Sequence, residues 1–241
     1  MQIDIARYSK LISLKDTGHN EEREKKLLDR SPPGHEGTKS VDIPATVLDV
    51  TGAIIVWYLP GALTGHHPGI SDPSSPDGSR PLDILQEEIW KASQLLTPTH
   101  EKSVKVGGSW RTNEEWFGQG SRNGDITAGC INISLAWFQQ GHETVSDLEV
   151  SASLKGPLSE DILKAIARPV AIASAALRAC ESFQALWFDI LTTVGNYSNA
   201  CMSMPSLQLE FMYDPGVMIT FSGRIVRHGV HEVAGDQVAW A

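Results

Sequence analysis

The chain has 241 residues, 41% of them apolar, and a formal net charge of −9 from 20 Lys and Arg against 29 Asp and Glu. That length can bury one sizeable core with extensions, and the acidic balance argues against broad affinity for phosphate backbones, which need a positive face. The three cysteines, Cys130, Cys180 and Cys201, are widely spaced and form no CxxC, which excludes a disulfide scaffold and a zinc ribbon and fits buried thiols in a reducing compartment.

The first ten residues, MQIDIARYSK, lack the apolar segment of a secretory signal, and no apolar run approaches the ~20 residues needed to span a bilayer. The expected location is therefore intracellular, nuclear or cytoplasmic, with no membrane partner. Residues 1–40 read as a polar, disordered leader. Its charged piece EEREKKLLDR is compatible with a short exposed helix, but i,i+4 pairs contribute only ~0.2–0.5 kcal/mol each. Residues 41–241 read as a single domain.

Within that domain, Val41 to Tyr58 reads as a hairpin. Two β-branched runs, Thr46-Val47-Leu48 and Ile54-Ile55-Val56-Trp57, flank Thr51-Gly52. Thr64 to Arg80 is dense in turn formers and reads as an exposed loop, in which His66-His67, lacking a nearby carboxylate, is bystander surface rather than a metal site. Pro81 to Leu96 is predicted as a helix, with Pro in the first turn, early acids and a stripe of Leu85, Ile89, Ala92 and Leu96; Thr97 to Arg111 reads as a polar connection.

The segment from Trp116 to Ser121 resembles a phosphate loop only superficially, because it lacks the Gly-Lys-Ser/Thr ending. Asp125 to His142 reads as a strand leading into a turn, with no nucleophile in a recognisable geometry between its terminal Asp and His to make a catalytic arrangement. Leu148 to Lys155 alternates as a strand. Ser159-Glu160-Asp161 opens a helix that Pro169 either kinks or divides, and the Ala-rich stretch from Ala171 to Leu186 is apolar enough to be buried.

Trp187 to Val230 is the stretch around which the rest is organised. Gln208 to Tyr213 alternates polar and apolar residues, Asp214-Pro215-Gly216 signals a turn, and Val217 to Thr220 resumes an apolar run. That predicts antiparallel strands joined by a tight turn, with Arg224 to Val230 as a further short strand carrying His228. The overall pattern is α+β.

The segments WFDILTTVG, YDPG and SGRIVRHGV, together with Pro44 to Leu59, Asn132 to His142 and Arg168 to Leu177 upstream, resemble the fungal TET/JBP-like branch of the iron(II) and 2-oxoglutarate dioxygenases. The resemblance spans roughly Val41 to Trp240. It implies a double-stranded β-helix (jelly-roll, cupin-like) with flanking helices, here partial. The implied chemistry is oxidation of a methyl group, plausibly on a nucleobase, with Fe(II) and 2-oxoglutarate as cofactors and a nucleic acid as partner.

The family's iron sits on a His-x-Asp or His-x-Glu pair and a distal His, leaving open positions for the co-substrate and dioxygen. His228 matches the distal position and is the candidate metal ligand. The segment where the pair would fall, Arg178 to Leu186, contains no histidine, and the one His-x-Glu, His19-Asn20-Glu21, lies far upstream in the leader. The family's basic clamp for 2-oxoglutarate also has no counterpart: no Lys or Arg occurs from Gly229 to Ala241, and Gln237 stands where an Arg is expected. The expectation is thus a degenerate or truncated dioxygenase relative, incomplete at its C-terminus and inactive. The alternative is a non-catalytic β-rich interaction or binding module. Asp189 and Asp214 are the carboxylates best placed to approach His228. A makeshift site of His228, His231 and Glu232 would need a bulge, since residues three apart on a strand face opposite ways.

Overall fold

The computed structural model describes residues 29, 38–64, 80–107, 112, 129–131, 133–134, 149–179 (side chains through 175), 189–223 and 226–240. The chain divides into two compact units. One comprises Met1–Gly65 and Ser182–Ala241, the other His66–Glu181, which is inserted in sequence between the two parts of the first. Among the described residues the architecture is α+β, with two α-helices and two sheets.

In the first unit, β1 (Lys39–Val41), β2 (Ala45–Leu48) and β3 (Ile54–Leu59) precede the insertion. After it come β4 (Asp189–Ser198), β5 (Cys201–Met204), β6 (Leu209–Met212), β7 (Met218–Phe221), β8 (Gly229–His231) and β9 (Ala234–Trp240). A mixed sheet has the order β1-β6-β5-β8, and a fully antiparallel one β2-β3-β7-β4-β9. Between them lies one core. Tyr58, Ile219 and Phe221 from the larger sheet meet Met202, Met204 and Phe211 from the smaller, all fully buried.

The β2–β3 hairpin forms as the β-branched runs predict. Asp49 turns the chain by accepting from Thr51 N–H (2.8 Å), the Thr51 hydroxyl (2.6 Å) and Ala53 N–H (2.9 Å), and Gly52 takes the left-handed φ of 85° that follows. β1 leaves this hairpin and pairs in parallel with β6 in the other sheet.

Two expectations for the C-terminal stretch are corrected. β6 and β7 do not pair across Asp214-Pro215-Gly216. The turn instead carries the chain from the smaller sheet to the larger, where Gly216 N–H donates to Thr193 C=O (2.9 Å) and Leu63 N–H to Gly216 C=O (3.1 Å). A turn signal specifies a reversal, and burial decides which sheet receives it: all four β7 residues are buried. The strand expected over Arg224 to Val230 shrinks to Gly229–His231, preceded by a turn in which Val226 N–H donates to Ser222 C=O at 2.8 Å.

Two tyrosine hydroxyls tie the sheets together. Tyr58 on β3 donates to Met212 C=O at 2.6 Å, and Tyr197 on β4 donates to Tyr213 C=O at 2.7 Å. Each satisfies a carbonyl at or just past the end of β6, where the ladder no longer does.

The second unit contains α1 (Pro81–Val106) and α2 (Ser159–Ala179), which pack together with Leu96, Leu154 and Ile162 in their core. The start of α1 is locked by Asp83, whose carboxylate accepts from Arg80 N–H (3.3 Å) and from both arms of the guanidinium (2.9 and 2.8 Å). The helix extends ten residues beyond the Leu96 expected from sequence, through Pro98, to Gly107 at φ 67°. Pro98 forfeits one backbone bond, but the buried stripe of Leu85, Ile89, Ala92 and Leu96 continues to His100 across it, so burial favours the helix on both sides.

α2 runs unbroken through Pro169, which resolves the two readings of that proline, and its described Ala-rich residues 172–175 are half-buried. Leu148 to Lys155 is not the expected strand: Ala152–Leu154 form a 3₁₀ turn. Ser151 instead makes a reciprocal pair with Ser134, donating N–H to its carbonyl (3.0 Å) and accepting its N–H on Oγ (2.9 Å), which anchors the segment without a ladder. Ile131 and Ile133, expected in a strand, lie in none. No helix among the described residues is long and apolar enough to cross a membrane. Cys130 and Cys201 are free thiols.

Candidate functional site

The site is built where three chain segments of the sandwich converge. β4 begins with Asp189, β7 ends with Phe221 opposite it in the ladder, and the turn after β7 returns as His228 just before β8. Asp189 Oδ2 accepts the Gly223 N–H at 2.8 Å. The His228 ring packs edge-on against Phe221, with centroids 4.5 Å apart and planes at 64°, and its Nδ1 lies 3.1 Å from the Val226 carbonyl oxygen.

A carbonyl oxygen only accepts, so Nδ1 is the nitrogen that donates here, which leaves the lone pair of a neutral ring on Nε2. Metal-bound and base-acting imidazoles are commonly oriented in this way, by a bond from the nitrogen that does not react. Gly223 brings the two side chains close. A Cβ there would lie 2.8 Å from Asp189 Oδ2 and 3.4 Å from His228 Cε1, so carboxylate and imidazole share the space above its backbone.

Of the carboxylates singled out from sequence, Asp189 reaches His228's surroundings and Asp214 does not; the charge of Asp214 bears instead on Tyr58, Tyr197 and Cys201. His231 is the last residue of β8, whereas His228 precedes that strand. In the ladder Val230 is level with the core residue Met202, whereas His231 pairs with Cys201. Its Nε2 lies 3.6 Å from Glu210 Oε1 and its Nδ1 3.7 Å from Glu232 Oε1, and His228 does not join them in a group of three that could hold a metal, so the makeshift site is not formed. Glu232 turns back toward His231 through a left-handed φ of 61°. Burial and the neighbouring carboxylates Glu232 and Glu210 push the Cys201 thiol up, away from a reactive thiolate.

Deeper along β4, on the side of the core, lies a polar row of which sequence reasoning singled out only Gln237. Thr193, Tyr197 and Gln237 belong to it, and the end of β6 adds Tyr213. Gln237 stands opposite Gly195, which has no side chain and could not bear one: at φ 135° a Cβ would meet Asp236 O at 2.1 Å. The Tyr197 hydroxyl contacts Thr193 Oγ1 at 2.9 Å, while the Gln237 Nε2 and the Tyr213 hydroxyl are buried without hydrogen-bond partners among the described residues. Burial pushes Tyr58 and Tyr197 up to about 12, and Tyr213 higher still. The signal available in sequence was the pair Gly195 and Gly235, two glycines in otherwise strand-like runs, which mark close backbone approach.

These residues do not fit an Fe(II) and 2-oxoglutarate centre. Around His228 the described residues supply one further carboxylate and no second imidazole, and nowhere among them are three His, Cys, Asp or Glu grouped so as to hold a metal ion. Gln237, inward-facing at the position expected for the co-substrate clamp, is neutral and offers a carboxylate no countercharge. The other candidates raised from sequence, His19 with Glu21, His66-His67, Trp116 to Ser121, and Asp125 with His142, lie outside the described residues, as do Cys180 and nearly all of the leader.

No family model matches the chain, and no curated protein does. Among solved structures, the chain is similar to NgTET1 in complex with 5mC DNA, with a TM-score of 0.40 and 13% identity over 98% of this chain and 89% of that one.

Proposed function

We propose that this chain is a relative of the TET/JBP-type dioxygenases that retains a partial jelly-roll body and the distal imidazole, His228, and does not turn over 2-oxoglutarate. The observation that carries the reading is the weave of the last six strands. β4 joins β7 and β9 in one sheet while β5 joins β6 and β8 in the other, so the chain crosses between sheets at β4–β5, β6–β7, β7–β8 and β8–β9. This alternation fits the later strands of a two-sheet jelly roll, and His228 stands at the threshold of the second-to-last strand, where the resemblance puts the distal ligand. On this reading, residues 41–241 are one dioxygenase-like domain behind a 1–40 leader, in an intracellular protein. A nucleic-acid substrate is inherited from the resemblance alone.

A second reading, a non-catalytic interaction module, is favoured by one further observation. The β2–β3 hairpin at the rim of the larger sheet exposes Leu48 (53%), Val50 (53%) and Ile54 (41%), a concentration of apolar surface at an edge that a protein without partners normally blunts.

The test is to add Fe(II) and then 2-oxoglutarate to the full chain under anaerobic conditions. The expected result is no visible metal-to-ligand charge-transfer band, and no succinate above the protein-free background on admitting air. A saturable band, or succinate formed in proportion to enzyme, overturns the reading.

A further inference from the structure

We propose that Asp189 is a positioning residue for His228, acting through Gly223 to determine which ring nitrogen the imidazole presents. The inference deepens the proposed function, resting on its reading of His228 as the retained ligand-facing group, and it assigns to Asp189 a role that the iron chemistry itself does not require.

The argument follows a line of contacts. Asp189 opens β4 directly opposite Phe221 in the β4–β7 ladder, so its carboxylate projects beside the end of β7. There it accepts the N–H of Gly223 at 2.8 Å. That bond fixes the first corner of the turn, which is closed by Val226 N–H donating to Ser222 C=O at 2.8 Å. The same Val226 then presents its carbonyl to His228 Nδ1 at 3.1 Å.

Phe221, at the base of the turn, supports the ring from one side. His228 is exposed, so packing alone does not immobilise it. Its tautomer is set by the Val226 carbonyl, and the position of that carbonyl is set by the turn that Asp189 pins.

Gly223 completes the case. It is not among the residues with left-handed φ, so its backbone conformation does not call for glycine. Its surroundings are the informative part: a Cβ built there would lie 2.8 Å from Asp189 Oδ2, the movable end of that side chain, and 3.4 Å from His228 Cε1, in ordinary contact. The Gly223 backbone thus sits between the acid and the imidazole and is near both. A carboxylate bond to a backbone N–H is charge-assisted and stronger than a neutral one, yet the part of the bond that matters here is the acceptor oxygen.

The test uses the full chain labelled with ¹⁵N, with the imidazole nitrogens of His228 observed at a pH where the ring is neutral and assigned by their loss in His228→Ala. The wild type is expected to show a dominant Nδ1–H tautomer. In Asp189→Ala the pattern shifts toward the Nε2–H form, and solvent exchange of the Gly223 amide accelerates by about tenfold or more, as loss of one charge-assisted bond requires. Asp189→Asn keeps an acceptor oxygen and is expected to preserve the wild-type tautomer. A generic structural role would not move the tautomer.

An unchanged tautomer in Asp189→Ala overturns the proposal, as does Asp189→Asn behaving like Asp189→Ala, which would make charge rather than the turn the cause. Succinate formation in the iron assay would defeat the proposed function and leave the tautomer result standing, so the two failures are distinguishable.

Discussion

Replacing Tyr197 by Phe isolates one bond between the sheets. The ring stays, so the packing of this buried residue, only 8% exposed, is preserved and no cavity larger than an oxygen opens. What disappears is the donor to Tyr213 C=O at 2.7 Å and the contact with Thr193 Oγ1 at 2.9 Å. Thr193 retains Val238 C=O as an acceptor at 3.4 Å, but the Tyr213 carbonyl is left buried without this donor. A net hydrogen bond contributes about 1 kcal/mol and an orphaned buried acceptor costs about 1–3 kcal/mol, so a destabilisation of about 2 kcal/mol is expected. With a urea slope of about 1–3 kcal/mol per M, the midpoint falls by about 1 M at unchanged slope. Tyr213→Phe is the internal control, because its hydroxyl is buried without a partner among the described residues and its removal should be neutral or stabilising. Urea titrations followed by far-UV circular dichroism compare the two. Equal midpoints for the two variants would refute the assignment of Tyr197 as the tie between the sheets.

Gly195→Ala should be far more damaging than its one methyl suggests, costing more than about 3 kcal/mol, because the Cβ meets the Asp236 carbonyl and the φ of 135° is closed to alanine. Gly229→Ala, with nothing within 4 Å of the new Cβ, should leave the urea midpoint within about 0.5 kcal/mol of wild type; a comparable loss at both positions would contradict the β4–β9 register. Alkaline pH should unfold the sandwich early. Tyr58 and Tyr197 are raised from the ordinary 10.0 to about 12, so the folded state holds these protons more tightly than the unfolded one. Their contribution is complete below pH 10 and is lost between pH 10 and 12, at up to about 1.4 kcal/mol per pH unit for each tyrosine. Stability constant across that window, measured by urea midpoints alongside phenolate absorbance, would show that the two hydroxyls are not buried as described.

Local chemistry was legible where the cause is local. The β2–β3 hairpin follows from two β-branched runs around Asp49 and Gly52, and the start of α1 follows from Pro81 and Asp83. Which sheet each strand joins was not, because a turn such as Asp214-Pro215-Gly216 reverses the chain equally well within a sheet or between two. The extension of α1 past Pro98 was hidden because the local cost of proline is visible in sequence while the burial of Leu96 and His100 on either side is not. At the site, His228 and Asp189 were both singled out from sequence, and so was the neutral Gln237. Their geometry was not legible: Asp189 meets His228 through Gly223, and the Gly195 and Gln237 pair depends on a register between strands far apart in sequence.

The β3–β7 ladder pairs Val56 with Phe221 and Leu59 with Met218, strands that lie on either side of the insertion in sequence. During vectorial synthesis at about 5–20 residues per second, the amino-terminal hairpin emerges roughly 10 to 30 seconds before its partner leaves the ribosome. For that interval its β-branched face is unprotected, and the inserted helical unit is completed first. Assembly of the sandwich therefore waits for β7, and nascent chains stalled before Met218 are expected to be clients of holdase chaperones rather than partly built sandwiches.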